Sequence, residues 1–381
     1  MFLPVERLLR VVDMLSLYKL NVLHLHLTDD AGWRIEIRSR PKLTEVGGAG
    51  ALGDRSGGWY TQDDYRRLVA YARERFVTVV PEVDMPGHVI AALRSYPELA
   101  ADGVVPEAPT GAGISTHALR LDVPGTAEFL ADVVREVAAL TPGPWVHLGG
   151  DEVLGMPRQA YAAFVTEAAR IVREAGKQPV AWQEATRAGL DGSALVQYWF
   201  DRTDELAGGD GVDLAALGIP PETLAAIAAM FAEAGGDVAR AREHGTRVLL
   251  SPTRHAYLDV PYAEPGSDEL SEARRARLGL PTYPPMTSRD FWEWDPETLL
   301  APQLPPEGLA GVGGAVWAET VQDADDLEFL LLPRLPGLAE RAWARHADVT
   351  WDQHSARLAG HSRLWDRRGW TWFRSSLIPW S

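Results

Sequence analysis

Trp145-Val-His-Leu-Gly-Gly-Asp-Glu152 reads as a short buried strand that stops on two glycines and two acids. Side chains alternate along a strand, so Asp151 and Glu152 could not both serve one site if the strand ran through them. Gly149 and Gly150 let the backbone leave the pleat at that point. Two neighbouring carboxylates in a cleft titrate apart, leaving one protonated near neutral pH as a general acid and the other ionised. The alternative is a solvated strand end whose acids cap the next helix. The glycines do not make a phosphate loop, because no Lys or Ser/Thr follows them.

Working outward, six more runs resemble this one: Val22–Leu27, Phe76–Val80, Pro179–Trp182, Ala194–Trp199, Arg247–Ser251 and Gly313–Trp317. Between them lie segments of helical period near Val5–Tyr18, Gln62–Arg75, Thr126–Leu140, Arg158–Ala175, Pro221–Glu243 and Leu327–Ala344. Strand alternating with helix predicts an α/β protein with a parallel sheet, a TIM (β/α)₈ barrel. Seven strands are one short of a barrel, and the chain opens on a helix, so strand one is expected to be missing. Residues able to do chemistry follow the C-terminal ends of the runs: His26 to Asp30, Glu82 to His88, Asp151 and Glu152, Tyr257 and Asp259, and Trp317 and Glu319. That is the face on which barrels build active sites. Pro97–Thr116 and Pro261–Pro285 read as long loops over that face, and 204–243 as an inserted helical segment between strands six and seven of the barrel. The whole of 1–381 is expected to be one catalytic domain, with 351–381 its C-terminal helix and tail.

The 381 residues are 46% hydrophobic, enough for a large core. A formal charge of −16, from 37 basic against 53 acidic residues, repels nucleic acid and anionic membrane and favours a neutral substrate. With no cysteine there is no disulfide, no thiolate nucleophile and no Cys-ligated metal. No apolar run approaches the roughly 20 residues of a membrane helix. Met1–Arg10 has no basic start followed by an apolar stretch, so the chain as it stands reads as cytoplasmic, or extracellular if a leader lies upstream.

Two further signals carry chemistry. In His24-Leu-His-Leu-Thr-Asp-Asp30 the histidines share a face, which suits a metal site in the manner of metal-dependent barrel hydrolases. Hydrogen-bonded histidines lining the barrel account for the pair without a metal, and Asp29 then orients a histidine from another strand, His88 being the candidate. Among 14 tryptophans, Trp182, Trp199 and Trp317 stand at or just past strand ends. One alone suits a core. Three beside carboxylates suggest a walled sugar pocket, since aromatic faces pack on pyranose rings while acids such as Asp259 and Glu319 take hydroxyls.

His-Leu-Gly-Gly-Asp-Glu at 147–152, His-Leu-His-Leu-Thr-Asp-Asp-Ala-Gly-Trp-Arg at 24–34, Pro-Glu-Val-Asp-Met-Pro-Gly-His at 81–88 and Trp-Ala-Glu at 317–319 together resemble the family 20 glycoside hydrolases, the β-N-acetylhexosaminidases. The likeness runs from residue 2 to Trp380. It implies a retaining exo-hydrolase of terminal β-linked GlcNAc or GalNAc that needs no cofactor or metal and uses the substrate's own acetamide as nucleophile. The resemblance makes Glu152 the acid and then the base, Asp151 the partner of the acetamido N–H, and Tyr257 a donor to its carbonyl. Trp182, Trp199 and Trp317 then enclose the methyl group, Asp259 and Glu319 hold ring hydroxyls, His147 lines the same wall, and Asp29 and His88 support Glu152. The implied partner is an N-acetylhexosamine-containing oligosaccharide or glycoconjugate; the resemblance implies nothing about oligomeric state. Family members carry an Arg just before the first helix, and Met1 stands immediately after that place. The small α/β domain that usually precedes the barrel is also outside this sequence, and the interval from Trp199 to Tyr257 is longer than usual. Without that Arg, a sugar-binding relative with impaired catalysis is the second expectation, and a metal-dependent hydrolase the third.

Overall fold

The computed structural model describes residues 1–53, 55–111, 113, 115–200 and 221–380. They fall into two compact units, 1–197 with 221–248 and 198–200 with 249–380.

The first unit is built on β1 (Val22–His26), β4 (Thr78–Glu82), β5 (Trp145–His147), β6 (Gln178–Trp182) and β7 (Leu195–Tyr198). Through residue 197 these pair side by side in that order, all parallel. Before β4 comes a two-stranded ribbon of β2 (Thr28–Asp29) and β3 (Gly32–Trp33), which the sequence reading missed. The register decides what meets at the strand ends. His26 stands opposite Glu82, and Glu82 opposite His147, so three polar residues form one row across β1, β4 and β5. Leu23 and Leu25 are buried on the other face of β1.

The connecting helices form where expected. Val5–Leu17 buries Val5, Leu8, Val11, Val12 and Leu15, an apolar stripe recurring at three and four. Gln62–Arg73 starts at Thr61, whose side chain accepts from the Asp64 amide while Asp64 reciprocates. Thr126–Leu140 and Arg158–Glu174 follow β4 and β5. The helix expected over Pro221–Glu243 is two, Pro221–Ala234 and Asp237–His244, because Gly235 and Gly236 interrupt it. The earlier part of the expected insertion, 204–220, lies outside the described residues.

In the second unit, the end of β8 (Arg247–Leu250) leads into a ladder in which the Ser251 amide donates to the Tyr198 carbonyl at 2.7 Å and the Gly313 amide to Leu250 at 2.8 Å. The last strand, β9, is Leu309–Val312 rather than Gly313–Trp317. Past Val312 the pairing goes on through the Gly313 amide and an isolated bridge from Ala315 to Tyr257. The helix expected over Leu327–Ala344 is also two, Ala324–Leu331 and Arg334–Trp343, with Pro333 at the break where it supplies no amide. The long loop Pro261–Pro285 contains a helix, Glu269–Arg275, capped by Asp268. Trp351–Arg368 is the C-terminal helix and ends on Gly369 at φ 61°. Tyr262 and Phe373 stack at 4.0 Å in this unit's core. Among the described residues, no helix is long and apolar enough to cross a membrane.

Candidate active site

The turn after β5 works as the sequence implied. Gly149 and Gly150 take φ of 69° and 97°, left-handed values that suit glycine, and Glu152 itself sits at 52°. A non-glycine residue held there stores strain, a mark of functional positions. The turn is locked from two sides: the Gly150 amide donates to Asp84 Oδ1 at 3.0 Å, and the Tyr161 hydroxyl donates to the Gly150 carbonyl at 2.7 Å. Neither acid caps the following helix, which begins after Pro157. The capping alternative therefore fails.

His88, at φ 54°, carries its ring between the two acids. Its Nε2 lies 3.5 Å from Glu152 Oε2 and 3.8 Å from Asp151 Oδ2, while Nδ1 lies 3.4 Å from Asp29 Oδ1. Asp29 turns its other oxygen to His26 Nε2 at 3.3 Å. Burial works against a charged His88, but the carboxylates of Asp29, Glu152 and Asp151 hold its pKa well above the ordinary imidazole value. Burial pushes the Asp29 carboxyl up, yet hydrogen bonds from His26 and His88 hold it far below the usual range. Asp29 and His88 thus lie side by side, with His88 facing Glu152.

Asp151 is buried beside Asp84, and like charges at such a place cannot both ionise freely. Burial pushes Asp151 up to about 6 against the pull of His88, with Glu152 adding to the rise. Asp84, deeper, is pushed well above its ordinary value by burial and then by Asp151. Burial and mutual repulsion thus raise both carboxyls, and the deeper Asp84 has the stronger tendency to hold the proton of the pair.

Beneath this layer lies Glu82, at the end of β4 and fully buried. The Trp182 indole N–H donates to its Oε1 at 2.9 Å, and His147 Nδ1 is 3.1 Å from the same oxygen. His24 Nε2 and His26 Nδ1 approach Oε2 at 2.8 and 3.0 Å. Burial raises the Glu82 carboxyl, and the three imidazoles, His147 foremost, more than reverse that and hold it well below the usual range. His24, Glu82 and His147 turn one donor atom each toward a common centre, a metal-like grouping. In this network the Glu82 oxygens already face imidazoles and an indole N–H. His147, expected along the substrate wall, is fully buried in it. Glu82 and Asp84 lie in the stretch Glu82 to His88 that the sequence marks for chemistry, but it gives neither a role. Glu82 ends β4 and Asp84 lies just past it, and only the pairing with the neighbouring strands shows what they meet.

Glu184, two residues past Trp182, is also buried. Burial, and next the charge of Asp151, push its carboxyl up to about 8. Nearby Asp237 accepts from Arg187 Nη2 at 2.9 Å and from Thr186 at 3.2 Å, tying Asp237–His244 to the loop after β6.

The second unit holds the remaining expected residues. Tyr257 and Trp317 place their rings 5.9 Å apart, and Tyr283 meets Tyr257 edge-on at 5.9 Å. Asp259 Oδ1 accepts from the Trp317 amide at 3.2 Å; burial, then the Glu319 charge, push its carboxyl up to about 8. The buried Arg334 guanidinium donates to the Leu258 carbonyl at 3.2 Å and also to Val260, fixing the backbone on both sides of Asp259. Trp199 is buried against Phe200, its carbonyl held by Thr253 Oγ1 at 2.9 Å.

Residues 1–160 and 221–346 match the catalytic domain of glycosyl hydrolase family 20. A β-N-acetylhexosaminidase of Cellulomonas fimi is 40% identical over 379 residues, covering 100% of this chain and 68% of that protein. A β-hexosaminidase of Vibrio furnissii is 31% identical, over 89% of this chain and 54% of its own length. Among solved structures, the family 20 β-N-acetylhexosaminidase from Streptomyces coelicolor A3(2) superposes with a TM-score of 0.83 at 38% identity, covering 100% of this chain and 69% of that one. A mutant Streptomyces plicatus β-hexosaminidase in complex with product GlcNAc gives 0.83 at 37% identity with the same coverage. The fold class is accordingly the TIM-barrel type of α/β protein, and the chain belongs to glycosyl hydrolase family 20, carrying the catalytic domain of those glycoside hydrolases.

Proposed function

We propose that the chain hydrolyses terminal, non-reducing β-linked N-acetylhexosamine, GlcNAc or GalNAc, from oligosaccharides or glycoconjugates, with retention and by substrate assistance. The observation that carries this reading is the turn at Gly149 and Gly150, which presents Asp151 and Glu152 together on His88. Glu152 protonates the glycosidic oxygen as the acetamido carbonyl oxygen attacks C1; the C1–O bond breaks and an oxazolinium ion forms. Glu152, now a carboxylate, takes a proton from water, which attacks C1 and reopens the ring to the acetamide. Asp151 accepts from the acetamido N–H and offsets the positive charge that develops there. The protonated Asp84 favours this by leaving the negative charge on Asp151. Trp182 walls the acetamido methyl. From the resemblance, Tyr257 donates to the carbonyl oxygen, Trp199 and Trp317 add to the wall, and Asp259 and Glu319 accept from ring hydroxyls.

Paired aryl glycosides test this. An aryl N-acetyl-β-glucosaminide should be cleaved, the aryl β-glucoside lacking the acetamide should not, and a thiazoline mimic of the cyclic intermediate should inhibit competitively. Equal cleavage of both glycosides would sink substrate assistance. Tight sugar binding without turnover of either would leave a binding protein.

A further inference from the structure

We propose that Glu82, a residue that never reaches the substrate, positions the site in two directions at once: it fixes the Trp182 ring through its indole N–H, and it anchors a string of alternating acids and imidazoles that ends on Glu152. The proposal rests on the hydrolase reading above for its kinetic consequences, though not for its electrostatic ones.

The first direction is set by one bond. Trp182 is 2% exposed, and its N–H donates to Glu82 Oε1 at 2.9 Å. The His147 ring meets the indole edge at 5.2 Å and the His24 ring lies 4.5 Å from His147, so the indole is held by its nitrogen and packed on its flank. A buried indole without an acceptor would reorient to find one.

The second direction is a chain of contacts. Glu82 Oε2 faces His26 Nδ1 at 3.0 Å, and His26 Nε2 faces Asp29 Oδ2 at 3.3 Å. Asp29 Oδ1 faces His88 Nδ1 at 3.4 Å, and His88 Nε2 faces Glu152 Oε2 at 3.5 Å. An imidazole with a carboxyl group facing each nitrogen is drawn toward its charged form, against the cost of burial. The string therefore alternates acid and imidazole, from Glu82 at its buried end through His26, Asp29 and His88 to Glu152, the proton carrier of the hydrolase reading, at the other.

Other charges face the two imidazoles. Around His26 they are Glu82 and Asp84 from β4 and the loop after it, Asp29 from its own segment and His147 from β5. Around His88 they are Asp29, Asp30, Asp84, Asp151 and Glu152. Of these, Glu82 is the acid that touches His26 and lies farthest along the string from Glu152. Removing its charge weakens the hold on the His26 proton, leaves Asp29 with one cation, and lets the string discharge at lower pH.

Two variants separate the directions. Glu82→Gln keeps an oxygen for the indole and removes the charge; Glu82→Ala removes both. For Glu82→Gln we expect KM for the aryl N-acetylglucosaminide within about threefold of wild type, kcat down roughly tenfold, and the alkaline limb of kcat/KM moved to lower pH. For Glu82→Ala we expect the same pH shift and a KM raised about tenfold as well. An unmoved pH profile in Glu82→Gln overturns the string. A KM raised equally in both variants overturns the indole role. Histidine titration by NMR reads the string without substrate: His26, assigned through His26→Gln, should stay protonated well above pH 6.5 in wild type and titrate lower in Glu82→Gln. Identical titration in the two proteins refutes the string even if the hydrolase reading holds. The expected difference sustains it even in a chain that cleaves nothing or if Glu82→Ala does not fold.

Discussion

A methyl group added at Gly149 gives a sharp test of how the acid pair is held. An alanine Cβ there would fall 1.6 Å from Asp84 Oδ1, 2.1 Å from its Cγ and 2.7 Å from its Cα. The last contact is with backbone, so rotating the Asp84 side chain cannot relieve it. The residue must also keep φ at 69°, which costs an L-residue about 1–2 kcal/mol. Overpacking a filled site adds about 1–3 kcal/mol, so Gly149→Ala should lose about 2–5 kcal/mol in all. For a folding unit of this size that is a fall in Tm of roughly 5–15 °C. Asp84 also accepts the Gly150 amide and lies buried beside Asp151, so displacing it misaims the acetamide partner. Turnover should fall about a hundredfold, the order expected for a misplacement near 1 Å. Thermal unfolding followed by circular dichroism and hydrolysis of an aryl N-acetylglucosaminide measure the two losses. A Tm within about 2 °C of wild type, together with full activity, would refute the claim that close approach of Gly149 to Asp84 sets the site.

Glu152→Gln should cut kcat by about 10²–10⁴-fold on poor leaving groups and less on nitrophenolate-like ones, which need little protonation; equal losses on both would contradict the acid role. Asp151→Asn should instead weaken thiazoline inhibition and slow all leaving groups alike, and an unchanged rate would rule out its hold on the acetamide. The third prediction concerns pH and stability. Glu184 is pushed up to about 8 and Asp151 to about 6, so through the acid-to-neutral range the folded chain binds more protons than the unfolded one. Stability therefore falls as pH rises from the ordinary carboxyl range through 6 and on to 8. Glu184→Gln keeps the shape of the protonated acid and should flatten that decline above pH 6; Tm measured from pH 5 to 9 would expose an unchanged slope.

The fold was legible because each buried strand is a short apolar run with helix on either side, and Val22–His26 or Gln178–Trp182 can hardly be read otherwise. What misled was continuity. Gly313 still donates to Leu250 after β9 has ended, so the run through Trp317 resembled the strand it follows. The breaks at Gly235-Gly236 and Pro333 lay inside unbroken helical periodicity, which tertiary packing overrode. In the site, Asp29, His88, Asp151 and Glu152 stood out as motif residues beside glycines or strand ends. Glu82 and Asp84 stood in the same motif without a role, since a carboxylate at a strand end takes its meaning from the neighbouring strands, and parallel register is invisible in one sequence. What His24 and His26 face was hidden for the same reason. Their partner was an acid some 60 positions away.

The row of His26, Glu82 and His147 across three strands also bears on how the chain reaches its native state. A slip of β4 by one residue would turn Glu82 to the opposite face, where Leu23 and Leu25 of β1 lie buried, and leave a carboxylate in hydrocarbon. Parallel strands join residues far apart in sequence and pair slowly, with many shifted arrangements to sample on the way. A single buried acid thus makes every odd-numbered slip expensive, so Glu82 also works as a gauge during assembly, rejecting those misaligned sheets before any substrate is met.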